Sequence, residues 1–157
     1  MQPIAETDLF ASTYCAQAHG PRSTPKTIND RHGHSAGDHA IVQLCDFCRE
    51  AKRTPDILAR LGGDEFALLL PETELSQAVV VAERLRESMV RHPITADGAT
   101  FSMTISVGIA QSRLSQPDVD ALMKVADQAL YQSKERGRNQ IAMAAPEAST
   151  SYRAAAE

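Results

Sequence analysis

The stretch Arg60-Leu61-Gly62-Gly63-Asp64-Glu65-Phe66 carries the strongest structural signal in this chain of 157 residues. Two consecutive glycines permit the backbone angles of a tight hairpin turn. The residues before and after it, 56–61 and 66–70, predict the two strands that the turn joins. The turn therefore presents two adjacent carboxylates, those of Asp64 and Glu65. Carboxylate oxygens suit divalent cations, Mg²⁺ in particular, although an ordinary acidic hairpin would carry the same residues.

Periodicity outside this turn predicts three helices and two more strands. The strands are a long one from Phe101 to Ala110, with alternating apolar residues, and a short one within 139–144. The order of elements from residue 36 onward predicts an α+β fold, with helices layered on a mostly antiparallel central sheet. The inward helical positions are Ala40, Ile41, Leu44, Cys45 and Cys48; Leu75, Ala78, Val79, Ala82, Leu85 and Met89; and Val119, Leu122, Met123, Ala126, Ala129, Leu130 and Ser133.

Composition excludes several classes of protein. The net charge of −4 and the absence of a basic block argue against binding nucleic acid through a charged surface. No apolar run reaches transmembrane length, and the N-terminus has no signal-peptide pattern. The sequence predicts one soluble, cytoplasmic domain, unless a membrane sensor was fused upstream. Cys45 and Cys48 have metal-ligand spacing, but the second ligand pair of a zinc site is absent, which favours two ordinary helix residues.

The stretch from Arg60 to Phe66 resembles the signature of the GGDEF family, the diguanylate cyclase domains of bacteria. Four other segments resemble the family in order and spacing. They are Ile28 to Asp38 (nucleotide recognition), Arg53 to Asp56 (product binding), Phe101 to Ala110 (the long strand), and residues 126–139 (the last helix and the turn after it). The resemblance covers residues 26–144, predicted as the GGDEF domain, and implies a fold like that of nucleotide cyclases and polymerase palms.

The resemblance implies that the chain condenses two GTP molecules into cyclic di-GMP, a bacterial second messenger used in signal transduction. The family holds one GTP per domain, so it implies a homodimer during catalysis. By the same resemblance Asp64 binds the metal ion, Mg²⁺ or Mn²⁺, and Glu65 assists the metal or the deprotonation of the attacking hydroxyl. Gly62 and Gly63 would form the part of the substrate site next to these catalytic residues.

Substrate recognition would fall to residues on both sides of the signature. The resemblance assigns the guanine base to Asn29 and Asp38, an amide and a carboxylate that together read a guanine edge. It assigns the phosphates to Lys134 and Arg138, with Lys26 as a third cation. The structural alternatives are a helix-capping Asn, a loop Asp and a solvated helix C-terminus with favourable cations.

An inhibitory, product-binding site is implied by Arg53 and Asp56, which form an Arg-x-x-Asp pair shortly before the signature. Arginine stacks on a guanine or donates to its acceptors, and an aspartate accepts from its N–H groups. Arg84, on the following helix, stands where the family often has a second arginine. Cyclic di-GMP is therefore an implied ligand as well as the implied product.

The front of the chain departs from the family. Residues 1–25 contain three prolines and no strand pattern, and they form an atypical segment that we expect to lack the family's first strand. Pro21 stands where the family has its first metal-binding aspartate, which argues against two-metal catalysis. A truncated or frameshifted front end would explain the departure. The last residues, 145–157, are rich in Ala and Ser and are predicted to be a disordered tail.

Three hypotheses follow. The first is a diguanylate cyclase domain with an intact signature turn. The second is a catalytically inactive receptor that binds cyclic di-GMP through Arg53 and Asp56, with Arg84 assisting, and signals to a partner. The third is a poorly folded remnant that does neither, because loss of a central strand costs much of the margin of about 5–15 kcal/mol that stabilises a domain.

Overall fold

The computed structural model describes residues 12–19, 29–30, 35–112 and 118–144. Residues 29–30 are helical, and the helices whose bounds the structure describes are α1 (Ala36–Ala51), α2 (Leu75–Arg91) and α3 (Val119–Glu135). The strands are β1 (Ser12–His19), β2 (Ile57–Gly62), β3 (Glu65–Leu70), β4 (Ile94–Ala96), β5 (Ala99–Phe101), β6 (Thr104–Gln111) and β7 (Ile141–Met143). No helix in the described part of the chain is long and apolar enough to cross a membrane.

The main sheet has five strands in the order β2-β3-β1-β6-β7. Its pairs are antiparallel except for the last, in which β6 and β7 run parallel. The remaining strands, β4 and β5, form a separate antiparallel hairpin. Asp97 and Gly98 turn that hairpin with φ values of 50° and 78°, and an Asp-Gly pair adopts such left-handed angles readily. The predicted α+β arrangement on a mostly antiparallel sheet is confirmed.

The helices cover the main sheet on both faces. Helices α1 and α2 pack with Phe66, Leu68 and Leu70 of β3 and with alternate residues of β6 to form the larger core. On the opposite face, α3 packs over the intervening residues of the same two strands, such as Ala67 and Ala110. The residues of β3 and the middle of β6 are therefore mostly buried on both faces, as the continuous apolar run of β3 predicts.

The expectation that residues 1–25 contain no strand is wrong. Strand β1, Ser12–His19, lies in the middle of the main sheet, and it pairs with β3 on one side and β6 on the other. The prolines of this segment fall before and after the strand and not within it. The segment has no continuous apolar run that would predict a strand. Its strand conformation depends on ladder hydrogen bonds to two neighbours that are distant in sequence.

The predicted long strand is also corrected in part. The stretch from Phe101 to Ala110 breaks at residues 102–103, so that Phe101 ends β5 and Thr104 begins β6. The alternation across it does not mark a solvent-exposed face, because Ser106, Gly108 and Ala110 are buried under α3. The predicted final strand is confirmed, with the shorter bounds of β7.

Gly108 is where α3 approaches the sheet most closely. A Cβ atom at this position would lie 2.2 Å from the backbone oxygen of Ala126 and 2.3 Å from the backbone nitrogen of Leu130. No side chain fits there, so the glycine allows the α3 backbone to rest directly on β6. The position of α3, and of the side chains at its C-terminal end, therefore depends on this residue.

Candidate functional site

The Gly-Gly turn between β2 and β3 is held in shape by Arg60. Its Nε and Nη2 atoms donate to the backbone oxygen of Gly63 at 2.9 and 2.7 Å, and its guanidinium lies 6.0 Å from the centre of the Phe66 ring. Gly63 has a φ of 48°, which a residue with a side chain rarely adopts. The register of the hairpin also shifts between Arg60 and Gly62. Sequence reasoning missed this role of Arg60, whose one sequence signal is its spacing of three residues from Gly63.

The turn brings Asp64 and Glu65 next to Lys134, which projects from the last turn of α3. Burial lowers the pKa of Lys134, while the nearby carboxylates of Glu65 and Asp64 act in the opposite direction and favour its charged form. The Oδ2 atom of Asp64 is buried, and within the described residues it has no hydrogen-bond partner. An unpartnered buried carboxylate oxygen is costly, so this arrangement suits a cation or a hydrogen-bond donor supplied by a ligand.

Arg138 lies beyond the end of α3, in the turn of residues 137–139. Its side chain is exposed, and its charge is close enough to lower the pKa of Lys134. Two cations held near each other repel, and an anion between them would relieve the repulsion. Lys134 and Arg138, which the resemblance assigns to phosphate binding, therefore lie close together, whereas Lys26 falls outside the described residues.

The two residues that the resemblance assigns to the guanine base, Asn29 and Asp38, lie at the N-terminal end of α1. The Oδ1 atom of Asn29 accepts a hydrogen bond of 2.7 Å from the backbone nitrogen of Gly37 in the first turn of α1, whose N-cap residue is Ser35. This contact satisfies a backbone donor at the start of the helix, which is the kind of role that the structural alternative gives to Asn29. Asp38 is exposed in the first turn of α1, and the hydroxyl of Ser35 donates to the carboxylate of Asp97 in the β4–β5 hairpin.

Strand β1 runs toward the signature turn, and Gln17 pairs with Glu65. The strand ends at His19, which pairs with Thr104, and none of its eight residues is acidic. Pro21 lies outside the described residues. Strand β1 thus ends before Pro21 and supplies no carboxylate of its own.

Arg53 and Asp56 form a compact turn between α1 and β2. Asp56 is buried, and its Oδ2 and Oδ1 atoms accept hydrogen bonds from the backbone nitrogen and from Nη2 of Arg53, at 2.6 and 3.3 Å. The same Nη2 donates to the hydroxyl of Thr73 at 2.5 Å, and Arg84 donates to the backbone oxygen of Ala51 at 3.0 Å. Arg53 and Arg84 are exposed, whereas Asp56 is engaged in orienting Arg53, and the contribution of Thr73 was not foreseen from the sequence.

Asp64 and Glu65 suit one kind of metal site and not another. The described residues contain no cluster of three or more His, Cys, Asp or Glu side chains that would form a protein-only metal site. Mg²⁺ is usually bound through one or two carboxylates together with substrate phosphates and water. Asp64, with its unpartnered oxygen, and Glu65 fit that second arrangement. Cys48 does not contribute, because burial, followed by the charge of Cys45, raises its pKa to about 12 and keeps it a neutral thiol.

Comparison with solved structures finds the same fold in GGDEF domains. The GGDEF domain of DgcB from Caulobacter crescentus in complex with c-di-GMP is 27% identical, with a TM-score of 0.79 over 89% of this chain and 82% of that chain. A truncated YfiN from Pseudomonas aeruginosa comprising only the GGDEF domain is 34% identical, with a TM-score of 0.76 over 87% of this chain and 78% of that chain.

Sequence comparison gives the same family. Diguanylate cyclase A of Treponema denticola is 37% identical over 118 residues, which are 75% of this chain and 32% of that protein. The uncharacterized protein YhcK of Bacillus subtilis is 41% identical over 117 residues, 74% of this chain and 33% of that protein. This chain thus spans about a third of the length of these two relatives. The family model "Diguanylate cyclase, GGDEF domain" matches residues 25–140, and the chain therefore belongs to the GGDEF domain family of diguanylate cyclases.

Proposed function

We propose that this chain binds GTP and condenses two GTP molecules into cyclic di-GMP. The observation that carries the proposal is the convergence of Asp64, Glu65 and Lys134, two carboxylates and a half-buried lysine from distant parts of the sequence. Phosphoryl transfer depends mainly on positioning the reacting groups and stabilising their charge. A site with carboxylates for a divalent cation and lysine for phosphate supplies both.

The reaction joins two nucleotides held by two copies of the chain. The 3′-hydroxyl oxygen of one GTP attacks the α-phosphorus of the other, a new P–O bond forms, and pyrophosphate leaves as the bond to the β-phosphate breaks. A second, reciprocal transfer closes the ring. In this proposal Glu65 accepts the proton of the attacking hydroxyl, while Lys134 and Arg138 bind the phosphate oxygens.

Asp64 is the residue that we assign to a divalent cation, Mg²⁺ or Mn²⁺, with Glu65 beside it. A bound cation would neutralise phosphate charge and polarise the reacting oxygens. At the other end of the nucleotide, Asn29 donates from Nδ2 to the guanine base and Asp38 accepts from its N–H groups. Gly62 and Gly63, which leave the turn without side chains, allow the triphosphate to approach the backbone.

Incubation of the purified chain with GTP and Mg²⁺, followed by chromatography, tests the proposal. We expect cyclic di-GMP from the wild-type chain and none from Asp64→Ala, because the variant loses the carboxylate whose Oδ2 atom is buried and unpartnered among the described residues. Asp46→Ala is the matched control, since Asp46 is an exposed acid on α1 that pairs with Arg49, and its activity should equal that of the wild type. Synthesis that persists in Asp64→Ala would show that the assignment is wrong.

A second candidate function is a non-catalytic receptor for cyclic di-GMP. It is favoured by the lack of an acidic residue in β1 and by the exposure of Arg53 and Arg84, the second of which donates to the backbone oxygen of Ala51 near Arg53. Arginine side chains bind guanine edges and phosphate oxygens alike. The related GGDEF domain of DgcB, whose structure is in complex with c-di-GMP, supports the choice of ligand.

Calorimetric titration with cyclic di-GMP tests this second function. We expect Arg53→Ala to weaken binding by about tenfold, which corresponds to ~1.4 kcal/mol. The matched control is Arg49→Ala, which removes an exposed arginine of α1 that pairs with Asp46 at 3.2 Å. Equal affinity of Arg53→Ala and the wild type for cyclic di-GMP would show that Arg53 is not part of the binding site. Binding without synthesis by a folded chain would favour the receptor over the cyclase.

A further inference from the structure

The turn after α3 has an unusual backbone. Gly137, Arg138 and Asn139 all have positive φ values, of 115°, 63° and 49°. A left-handed conformation costs a residue with a side chain about 1–2 kcal/mol, so Arg138 and Asn139 adopt it only where other contacts hold the turn. The backbone nitrogens of Gly137 and Arg138 donate to the backbone oxygens of Lys134 and Ser133 at 3.2 and 3.0 Å. The backbone nitrogen of Asn139 donates to the hydroxyl of Ser106 at 3.1 Å.

A side chain from the opposite face of the sheet supports this turn. Arg86, on α2, donates from Nη1 to the Oδ1 atom of Asn139 at 3.1 Å. Its Nε and Nη2 atoms both donate to Glu83 one turn earlier on the same helix, with Nε at 3.0 Å. Arg86 is only 21% exposed. Glu83 thus orients the forked guanidinium so that it reaches Asn139, which lies two residues before β7.

The contact fixes a residue whose neighbour belongs to the phosphate site. Asn139 directly follows Arg138, whose charge lies near Lys134 and opposes it. Because Arg138 is exposed and its side chain is long, its position depends on the backbone of the turn. Loss of the Arg86 contact would allow the two cations to move apart, which relaxes their repulsion.

We propose that Arg86 is a positioning residue that holds Asn139, and with it the left-handed turn that keeps Arg138 beside Lys134 for binding the phosphates of GTP. The proposal rests on the proposed binding of GTP. Arg86 is assigned no contact with substrate. Its effect should therefore be confined to the phosphates and should leave recognition of the guanine base, at the N-terminus of α1, unchanged.

The test compares two ligands that share the base and differ in the phosphates. Competition against a fluorescent guanine nucleotide gives the dissociation constants of GTP with Mg²⁺ and of guanosine. For Arg86→Met we expect the GTP constant to rise about tenfold and the guanosine constant to stay the same. A general loss of structure would weaken both ligands equally, so the ratio of the two constants separates positioning from folding.

Two further variants complete the experiment. Arg91→Met is the matched control, because Arg91 lies on the same helix and pairs with Glu87 of that helix at 2.7 Å; both constants should equal those of the wild type. Asn139→Gly removes the Oδ1 acceptor and still favours a positive φ. It should reproduce the loss seen in Arg86→Met, and the double variant should lose no more than either single one.

The outcomes distinguish this inference from the function on which it rests. A wild-type chain that binds no GTP overturns both proposals. A wild-type chain that binds GTP, combined with an unchanged GTP constant or an equal loss of both ligands in Arg86→Met, overturns the role of Arg86 alone. Additive losses in the double variant would likewise show that Arg86 does not act through Asn139.

Discussion

Replacement of Gly108 by alanine should displace helix α3 as a unit. The added Cβ would meet the backbone oxygen of Ala126 at 2.2 Å and the backbone nitrogen and Cα of Leu130 at 2.3 and 2.8 Å. Ordinary van der Waals contact begins at 3.4 Å. All three atoms belong to the helix backbone, so no side-chain rotation relieves the overlap, and α3 has to withdraw from β6.

The size of the effect follows from these distances. The shortest contact is too close by the difference between 3.4 and 2.2 Å, which means a withdrawal of about 1 Å. Overpacking of this kind costs about 1–3 kcal/mol, and we expect the upper end because the atoms in the way are backbone. Lys134 moves with the helix, and a misplacement of about 1 Å in a catalytic group can reduce a rate by about 100-fold.

Urea unfolding of wild type and Gly108→Ala measures the free energy of unfolding. The rate of cyclic di-GMP synthesis from GTP reports whether the displacement of Lys134 impairs the site. Gly98→Ala is the control: its Cβ meets nothing within 4 Å, and its φ of 78° imposes only the left-handed cost, about 1–2 kcal/mol. Both variants should lose stability, but only Gly108→Ala should lose activity. A Gly108→Ala protein within about 0.5 kcal/mol of the wild type would refute the close-approach argument. Cooperative unfolding of the wild type would also exclude the hypothesis that the chain is a poorly folded remnant.

Two further predictions concern stability. Burial raises the pKa of Cys48 from 9.0 to about 12, so the unfolded state loses this proton first as pH rises. The wild type should then lose stability about 1.4 kcal/mol per pH unit faster than Cys48→Ala between pH 9 and pH 12; parallel pH profiles in chemical denaturation would contradict this. Asp118 caps α3 by accepting from the backbone nitrogens of Asp120 and Ala121 at 3.0 and 3.2 Å. Asp118→Ala should cost about 1 kcal/mol in the same assay, whereas Asp46→Ala, at an exposed pair, should change little.

Features that depend on neighbours in sequence were predictable. The three helices were found from their apolar spacing, because each buries one side against the sheet and the pattern is local. The hairpin at Gly62 and Gly63 was found because the turn needs residues without side chains. The proximity of the Asp64 and Glu65 carboxylates was predictable without tertiary information, since the two residues are adjacent in the sequence.

The central strand shows where such reasoning stops. Ser12–His19 alternates small, polar and aromatic residues, and its strand conformation comes from β3 and β6, which supply hydrogen-bond partners on both edges. The three prolines of residues 1–25 all fall outside these eight residues, so they do not interrupt the strand. The hairpin of β4 and β5 was missed for a different reason, because its strands are three residues long and too short to show a period.

Local sequence patterns account for the two carboxylates of the site but not for the residues that surround them. Helix and turn signals act over a few residues, so the amino-acid order alone accounts for α1, α2, α3 and the signature turn. Contacts between distant segments depend on how the layers stack. Folding alone therefore brought Lys134 to Asp64, set Arg86 against Asn139 and made Gly108 indispensable, because each contact spans two elements whose spacing is decided by packing against the sheet.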